Sequence, residues 1–539
     1  MKAAEIRSAG DRARLLVCDS LDAVLAMNAA LTAKPLPGQS DLVPAATTLL
    51  ACFTTARHAH AAGAPLARLD ASPIEQAAGR EITIDVVYDG DDLDTVAELT
   101  GLSPDAVIAA HTGQRWRAAF GGFAPGFFYM TGEDEALNVP RRQSPRTRVP
   151  AGAVGLAGMF SAVYPKASPG GWQLIGRTDA RLWDLTRERP ALLQPGDVIR
   201  YRAVETLAAD SPANDIPDGA DHDALNTTTA LTIVAPGLQA LIQDLGRPGH
   251  AHIGVSPSGA ADQTAARQAN RLVGNTPGAA VIETLQGGLC ARAVGDTVIA
   301  LAGAPAIGTI DSPRGQRSAP HGKAVALHDD ETLTLATPTA GLRQYLAVRG
   351  GFARSPVLGS RARDTLAGLG PPPLTAGDTL PITPPRPGHI VGHPEPATVA
   401  LNEDAAALRV VLGPRDDWFD AASLKRLTKT TWQVSPDADR VGLRLIPAGD
   451  DPAAAALERE IDDELPSEGC VAGALQVPPA GAPILFLRDH PVTGGYPVIA
   501  VVISSDLDRA AQLAPGDRLS FSAIAPDTDF AAKQEMVGT

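Results

Sequence analysis

Apolar positions along this chain come mostly in short runs broken by glycine and proline, a pattern that predicts strands more often than helices. Residues 14–18 and 47–53 read as apolar strands. Between them Leu21, Val24, Leu25 and Met27 lie at helical spacing behind Ser20 or Asp22 as cap. Residues 82–88 alternate polar and apolar before Asp89-Gly90 turns the chain. Residues 91–99 predict a helix, and another starts with Ser103 as N-cap and Pro104 in its first position. From Phe120 to Tyr201 the runs shorten, as expected of a barrel or sandwich. Residues 408–412 form a further apolar strand after the Pro-rich stretch 381–396.

One Gly/Pro cluster, residues 254–262, runs straight into an amphipathic helix. Ala265, Ala269, Leu272 and Val273 share its apolar face, and Gly274 is placed to cap it. Ser256, Ser258, Asp262, Gln268 and Asn270 gather around the turn. A helix N-terminus there either offers N–H groups to an anion or carbonyl, or is a capped structural turn.

The chain also repeats itself. Val149-Pro150-Ala151-Gly152, then Gly170-Gly171-Trp172-Gln173, then Pro195-Gly196-Asp197 form one series. Val477-Pro478-Pro479-Ala480-Gly481, then Gly494-Gly495-Tyr496, then Pro515-Gly516-Asp517 form the other. The shared order predicts duplicated β-rich modules, and two facing copies would enclose a cleft. Boundaries are expected at 1–90, 91–204, an acidic linker 205–228, 229–396 and 397–539.

With 539 residues and a net charge of −15, the chain is long enough for several domains and poorly suited to non-specific nucleic-acid binding. No run of about 18 apolar residues predicts a membrane span. Charged residues open the chain with no apolar stretch behind them, so no secretory signal is expected. Cys18, Cys52, Cys290 and Cys470 stand far apart, which suits reduced thiols in a cytoplasm. His58/His60 and His389/His393 lack acidic or Cys companions, so no metal site is expected. The G-x-S-x-G elbow, the Walker-type loop and a biotinylation hairpin are all missing from the sequence.

Several segments carry candidate chemistry. His111 can act as general acid/base or sit as a histidine on a helix C-terminus. Gly122, Phe123, Pro125 and Gly126 belong to a segment whose glycines let backbone approach a substrate, or which form a bulge. Arg146 and Arg148 alternate along an extended stretch and suit carboxylate or phosphate binding; a solvated edge is the alternative. Lys166 and Gln173 flank the turn 168–171 and can meet a carbonyl or lie at the surface. In the second half Asp262, Asn270, Arg440, Gln476, Thr493, Gly494 and Tyr496 are the candidates.

These motifs resemble the allophanate-hydrolase-like carboxyltransferase family, with a B-like part over about residues 5–203 and a C-like part over about 229–525. Its members include the B-type and C-type components of bacterial 5-oxoprolinase, a sporulation-kinase inhibitor with its antagonist, and the carboxyltransferase domain of urea carboxylase. The resemblance implies a β-rich α+β fold, with duplicated cyclophilin-like β-barrel modules and a small N-terminal α/β domain. It implies an ATP-dependent (with Mg) opening of the 5-oxoproline lactam to glutamate, acting with a separate A-type subunit. There His111, Arg146, Arg148 and Asp262 would be catalytic, and the other candidates would bind substrate. The alternatives are a carboxyltransferase using biotin on a separate carrier, with urea or a related amide as acceptor, and a non-catalytic regulator of a histidine kinase. The expected setting is cytoplasmic, with a homo-oligomer allowed and neither nucleic acid nor membrane as partner. The site itself is expected in a cleft shared by the two halves.

Overall fold

The computed structural model describes residues 1–72, 79–207, 228–398, 405–449 and 456–526. Most of the expected acidic linker falls at 208–227, outside the described residues.

The N-terminal unit is a four-stranded antiparallel sheet in the order Glu5–Ser8, Ala13–Val17, Thr48–Phe53, Gln39–Pro44. Helices Leu21–Ala33 and Ala56–Ala67 cover it. Ser20 caps the first, accepting the Ala23 N–H at 3.2 Å. Val24 and Met27 pack against Leu16 and Leu49. The second helix escapes the sequence pattern because its buried face is small, made of Ala59, Ala62 and Leu66.

Two barrels follow the same plan. The first orders its strands Gln173–Arg177, Ala153–Ala157, Phe160–Val163, Phe128–Thr131, Trp116–Gly121, Val198–Ala203, Glu81–Val86. The second runs Val498–Val502, Ala474–Gln476, Ile484–Phe486, Gly442–Pro447, Trp432–Val434, Arg518–Ala523, Ala406–Leu412 and is closed. In each, the first strand in sequence pairs in parallel with the last. Reciprocal 2.9 Å hydrogen bonds between Val87 and Arg177 join the ends of the first sheet. Asp197 and Asp517 each accept the N–H three residues back, at 2.9 and 2.8 Å, fixing the same Pro-Gly-Asp turn. The duplication expected from the sequence is therefore a duplication of topology. The boundary at residue 90 needs correction, because Glu81–Val86 pairs with Val198–Ala203 and so lies in the barrel.

Between the barrels in sequence, residues 230–381 form two stacked sheets of six and five strands around Leu231, Ile282, Leu333 and Leu346. Helix Gln263–Leu272 lies on the five-stranded sheet, where Ala265, Ala266 and Ala269 permit close approach to Ala300 and Ala347. Among the described residues, no helix is long and apolar enough to cross a membrane.

Candidate functional site

The two halves meet along the glycine-rich strand end of the first barrel. The Phe123 N–H donates to Thr493 Oγ1 at 2.8 Å, and the Gly126 N–H donates to the Ile253 carbonyl at 3.0 Å. A Cβ on Gly254 would sit 2.1 Å from the Ala124 carbonyl oxygen, and one on Gly122 would sit 2.8 Å from Thr493 Cγ2. These glycines permit close backbone approach, but what approaches is the other half of the chain. Phe123 holds a left-handed φ of 61°, uncommon for a bulky side chain, at this same junction.

A cavity of about 260 Å³ opens beside that seam. Phe123, Pro125, Lys166 and Ser168 line it from the first half. Ser256, Asp364, Leu366, Val441, Phe486 and His490 line it from the second. Most of the wall is apolar, with a few polar groups set into it, the usual make-up of a small-molecule site. Asp364 is fully buried; its Oδ1 accepts the Ala367 N–H at 2.8 Å, while its Oδ2 has no hydrogen-bond partner. Burial and the nearby Asp489 charge push the Asp364 carboxyl up to about 7. Burial pushes the His490 imidazole down to about 4. His490 Nδ1 lies 2.9 Å from the Pro491 carbonyl, so Nδ1 carries the proton and Nε2 is left as an acceptor. The Lys166 Nζ lies 3.4 Å from the Leu366 carbonyl, across the seam.

Behind the cavity stands a buried ionic network. Asp489 accepts from Arg440 at 2.9 and 3.1 Å, from Ser258 Oγ at 2.6 Å, and from Thr365 N and Oγ1 at 2.9 and 2.7 Å. Burial alone would raise this carboxyl, but Arg440 and these donors hold it below its ordinary range. Arg440 also pairs with Glu283 and donates to the Gly259 carbonyl at 2.6 Å. Glu283 in turn accepts from Tyr345 Oη and the Ala261 N–H, both at 2.9 Å. Asp489 therefore ties the 256–259 turn to the segment carrying Asp364, with His490 as its own neighbour.

The predicted residues scatter around this centre. Phe123, Pro125 and Lys166 line the cavity. Gly122, Gly126 and Thr493 build the seam. Arg440 anchors the network. His111 lies apart, fully buried in the first barrel, with Tyr88 Oη 2.6 Å from Nδ1 and Ser161 Oγ 3.0 Å from Nε2. Its ring stacks on Tyr201 at 4.2 Å, and burial lowers its pKa to about 3. The Trp116 indole donates to the His111 carbonyl at 2.9 Å; in the second barrel Trp432 donates to Leu427 at 3.1 Å. A core leucine thus occupies the duplicate of the His111 position.

Arg146 makes a bidentate pair with Asp92 at 2.8 and 2.9 Å, and Arg148 is exposed. Gln173 donates to the Pro140 carbonyl at 3.1 Å, and Asn270 to the Ala279 carbonyl at 2.8 Å. Gln476 donates to the Tyr496 carbonyl at 3.2 Å, the Tyr496 ring lies 5.8 Å from Arg459, and Gly494 pairs with Glu468. Asp262 caps its helix, accepting the Ala265 N–H at 2.8 Å, and burial raises its carboxyl to about 7. Of the two readings of this helix N-terminus the capped turn holds, because Asp508 takes the Gln263 and Thr264 N–H groups at 3.0 and 3.1 Å. His58 faces Thr54 and Thr55, and His389 faces the Gly274 carbonyl. Among the described residues, no cluster of three metal-ligating side chains occurs.

Asp364 escapes sequence reasoning. It sits in the irregular run Ser360-Arg361-Ala362-Arg363-Asp364-Thr365, where no period signals burial. The one local signal is an acid followed three residues later by a residue whose N–H it caps.

The model for the carboxyltransferase domain, subdomain A and B, matches residues 253–523, and that for subdomain C and D matches residues 4–193. The chain belongs to this carboxyltransferase-domain family, with the C and D part ahead of the A and B part. It is 33% identical over 308 residues to the C-type component of 5-oxoprolinase from Escherichia coli (strain K12), covering 57% of this chain and 94% of that one. It is 48% identical over 125 residues to the B-type component of 5-oxoprolinase from Escherichia coli O157:H7, covering 23% of this chain and 57% of that one. The urea amidolyase of Saccharomyces cerevisiae is 31% identical over 322 residues, and the match spans only 17% of that protein's length. The solved structure of TTHA0988 superposes with a TM-score of 0.80 at 33% identity, over 95% of this chain and 99% of the other.

Proposed function

We propose that this chain is a fused B- and C-type component of an ATP-dependent 5-oxoprolinase, acting with a separate A-type subunit on the lactam of 5-oxoproline. One observation carries the reading: residues of both halves line a single cavity that holds Asp364, His490 and Lys166. A site divided in this way suits two kinds of component joined in one chain. The likeness to both the B-type and the C-type component supports it.

In this reading Lys166 attracts the substrate carboxylate, and the apolar wall excludes water from the ring. The neutral form of Asp364 donates a hydrogen bond from Oδ2 to the lactam carbonyl oxygen, where negative charge grows. His490 Nε2 accepts a proton from the attacking water and returns it to the ring nitrogen as the C–N bond breaks. Amide resonance makes direct hydrolysis slow, and ATP supplies the activation of the carbonyl. The sequence holds no Walker-type loop, so nucleotide handling is assigned to the assembled complex. Arg440 and Asp489 act by positioning, through the network behind the cavity.

The test is turnover. The full chain, mixed with an A-type subunit, ATP and 5-oxoproline, releases glutamate and ADP in equal amounts, and Asp364→Ala lowers kcat at least about a hundredfold. No glutamate from the wild-type mixture, with an established complex as control, sinks the proposal. A second reading, carboxyl transfer from biotin on a separate carrier, is favoured by the likeness to urea amidolyase. Saturable binding of biotin in this cavity, weakened by Lys166→Ala, would support that reading instead.

A further inference from the structure

A second cavity, of about 380 Å³, lies where the N-terminal sheet, the helix Gln263–Leu272 and the second barrel converge. Three guanidinium groups line it, one from each: Arg12, Arg267 and Arg488. Its two carboxylates are already committed. Asp11 accepts Ser504 N and Oγ at 2.9 and 2.7 Å. Asp508 accepts Gln263 N, Thr264 N, Thr264 Oγ1 and Arg488, the last at 3.2 Å. Arg488 is committed as well, to Asp508 and to the Ala261 carbonyl at 3.5 Å, whereas Arg267 and Arg12 are less so. Arg267 donates to Gln263 Oε1 at 3.1 Å and makes no ion pair among the described residues. Arg12 is exposed at the rim, with neither a side-chain hydrogen bond nor an ion pair among the described residues.

Asp508 offsets part of the charge of Arg488, but Arg12, Arg267 and Arg488, brought together from distant parts of the chain, still repel one another. Arg267 registers it: burial lowers its pKa, and so do Arg488 and Arg12, against the opposing pull of Asp508. A guanidinium presents up to five N–H donors in a planar fork. A planar carboxylate satisfies one or two such forks, whereas a tetrahedral oxyanion can meet three. We infer that the Arg12–Arg267–Arg488 cavity is a binding site for a phosphoryl group, separate from the cavity at the seam. The inference rests on this cavity alone and stands whether or not the lactam reading holds. The phosphoryl group belongs either to free phosphate or to a nucleotide, and the open rim at Arg12 admits both.

Calorimetry on the full chain at low salt, with inorganic phosphate, ADP and ATP as probes, separates these sources. Saturable binding at millimolar ligand or below is expected, falling as salt rises. A nucleotide binding at least about tenfold tighter than phosphate makes the nucleotide the occupant; equal affinities make phosphate the recognised group. Arg267→Gln and Arg12→Gln each weaken binding about tenfold or more, while Arg292→Gln, a surface control, leaves it unchanged. Circular dichroism confirms that each variant is folded, and Arg12, being exposed, is the safer of the two. The inference is overturned by the absence of saturable binding, by affinity that survives both substitutions, or by acetate and 5-oxoproline binding as tightly as phosphate.

Discussion

Thr493, in the short strand Thr493–Gly494 of the second half, accepts the backbone N–H of Phe123, just past the Trp116–Gly121 strand of the first half, at 2.8 Å, and this bond closes the seam beside the candidate cavity. Thr493→Val keeps the shape but leaves that N–H without its acceptor, at a cost of about 1–3 kcal/mol. Gly254→Ala is harsher, because its Cβ meets the Ala124 carbonyl oxygen at 2.1 Å and its φ is 80°. Separately expressed halves are expected to copurify as wild type, weaken with Thr493→Val and part with Gly254→Ala. Copurification unaffected by Gly254→Ala would show that the seam is not what joins them.

His111 divides structure from chemistry. Removing its ring leaves a cavity and strips partners from Tyr88 and Ser161. His111→Ala should destabilise the protein by about 2–4 kcal/mol, read as a lower Tm, while kcat of the folded fraction stays within about twofold. A large fall in kcat at unchanged Tm would return His111 to the chemistry.

Asp364 sets a pH dependence. Its folded-state pKa of about 7 lies above the ordinary carboxylate value. The folded state therefore holds this proton more tightly than the unfolded state does. Its favourable contribution is complete below the ordinary carboxylate pKa and is lost as pH rises through about 7. Activity that needs the protonated carboxyl falls over the same window. Asp364→Asn should reduce the alkaline limb of the Tm profile, where Asp262, also raised to about 7, keeps its share, and remove the alkaline limb near neutrality from the activity profile. A variant retaining that limb would assign it elsewhere.

Much of this architecture is legible from residue order. The Pro-Gly-Asp turns, the Ser20 and Ser103 caps and the repeated series all rest on local backbone chemistry, which a sequence displays directly. The site is less legible, since it forms from segments far apart in the chain. Gly122 and Gly254 signal close approach, but nothing local says whether a ligand or another backbone arrives. His111 and Arg146 have the residue types of active sites and are spent on a barrel core and an Asp92 pair. Asp364 gives no periodic signal, because its burial comes from packing between distant turns.

The central claim is that the two halves make one site. Its most direct measurement is glutamate release, with ATP, 5-oxoproline and an A-type subunit, by halves separated within residues 208–227. Each half alone, folded by circular dichroism, is predicted to give no turnover, and the mixture to recover it. Full turnover by either half alone would contradict the account.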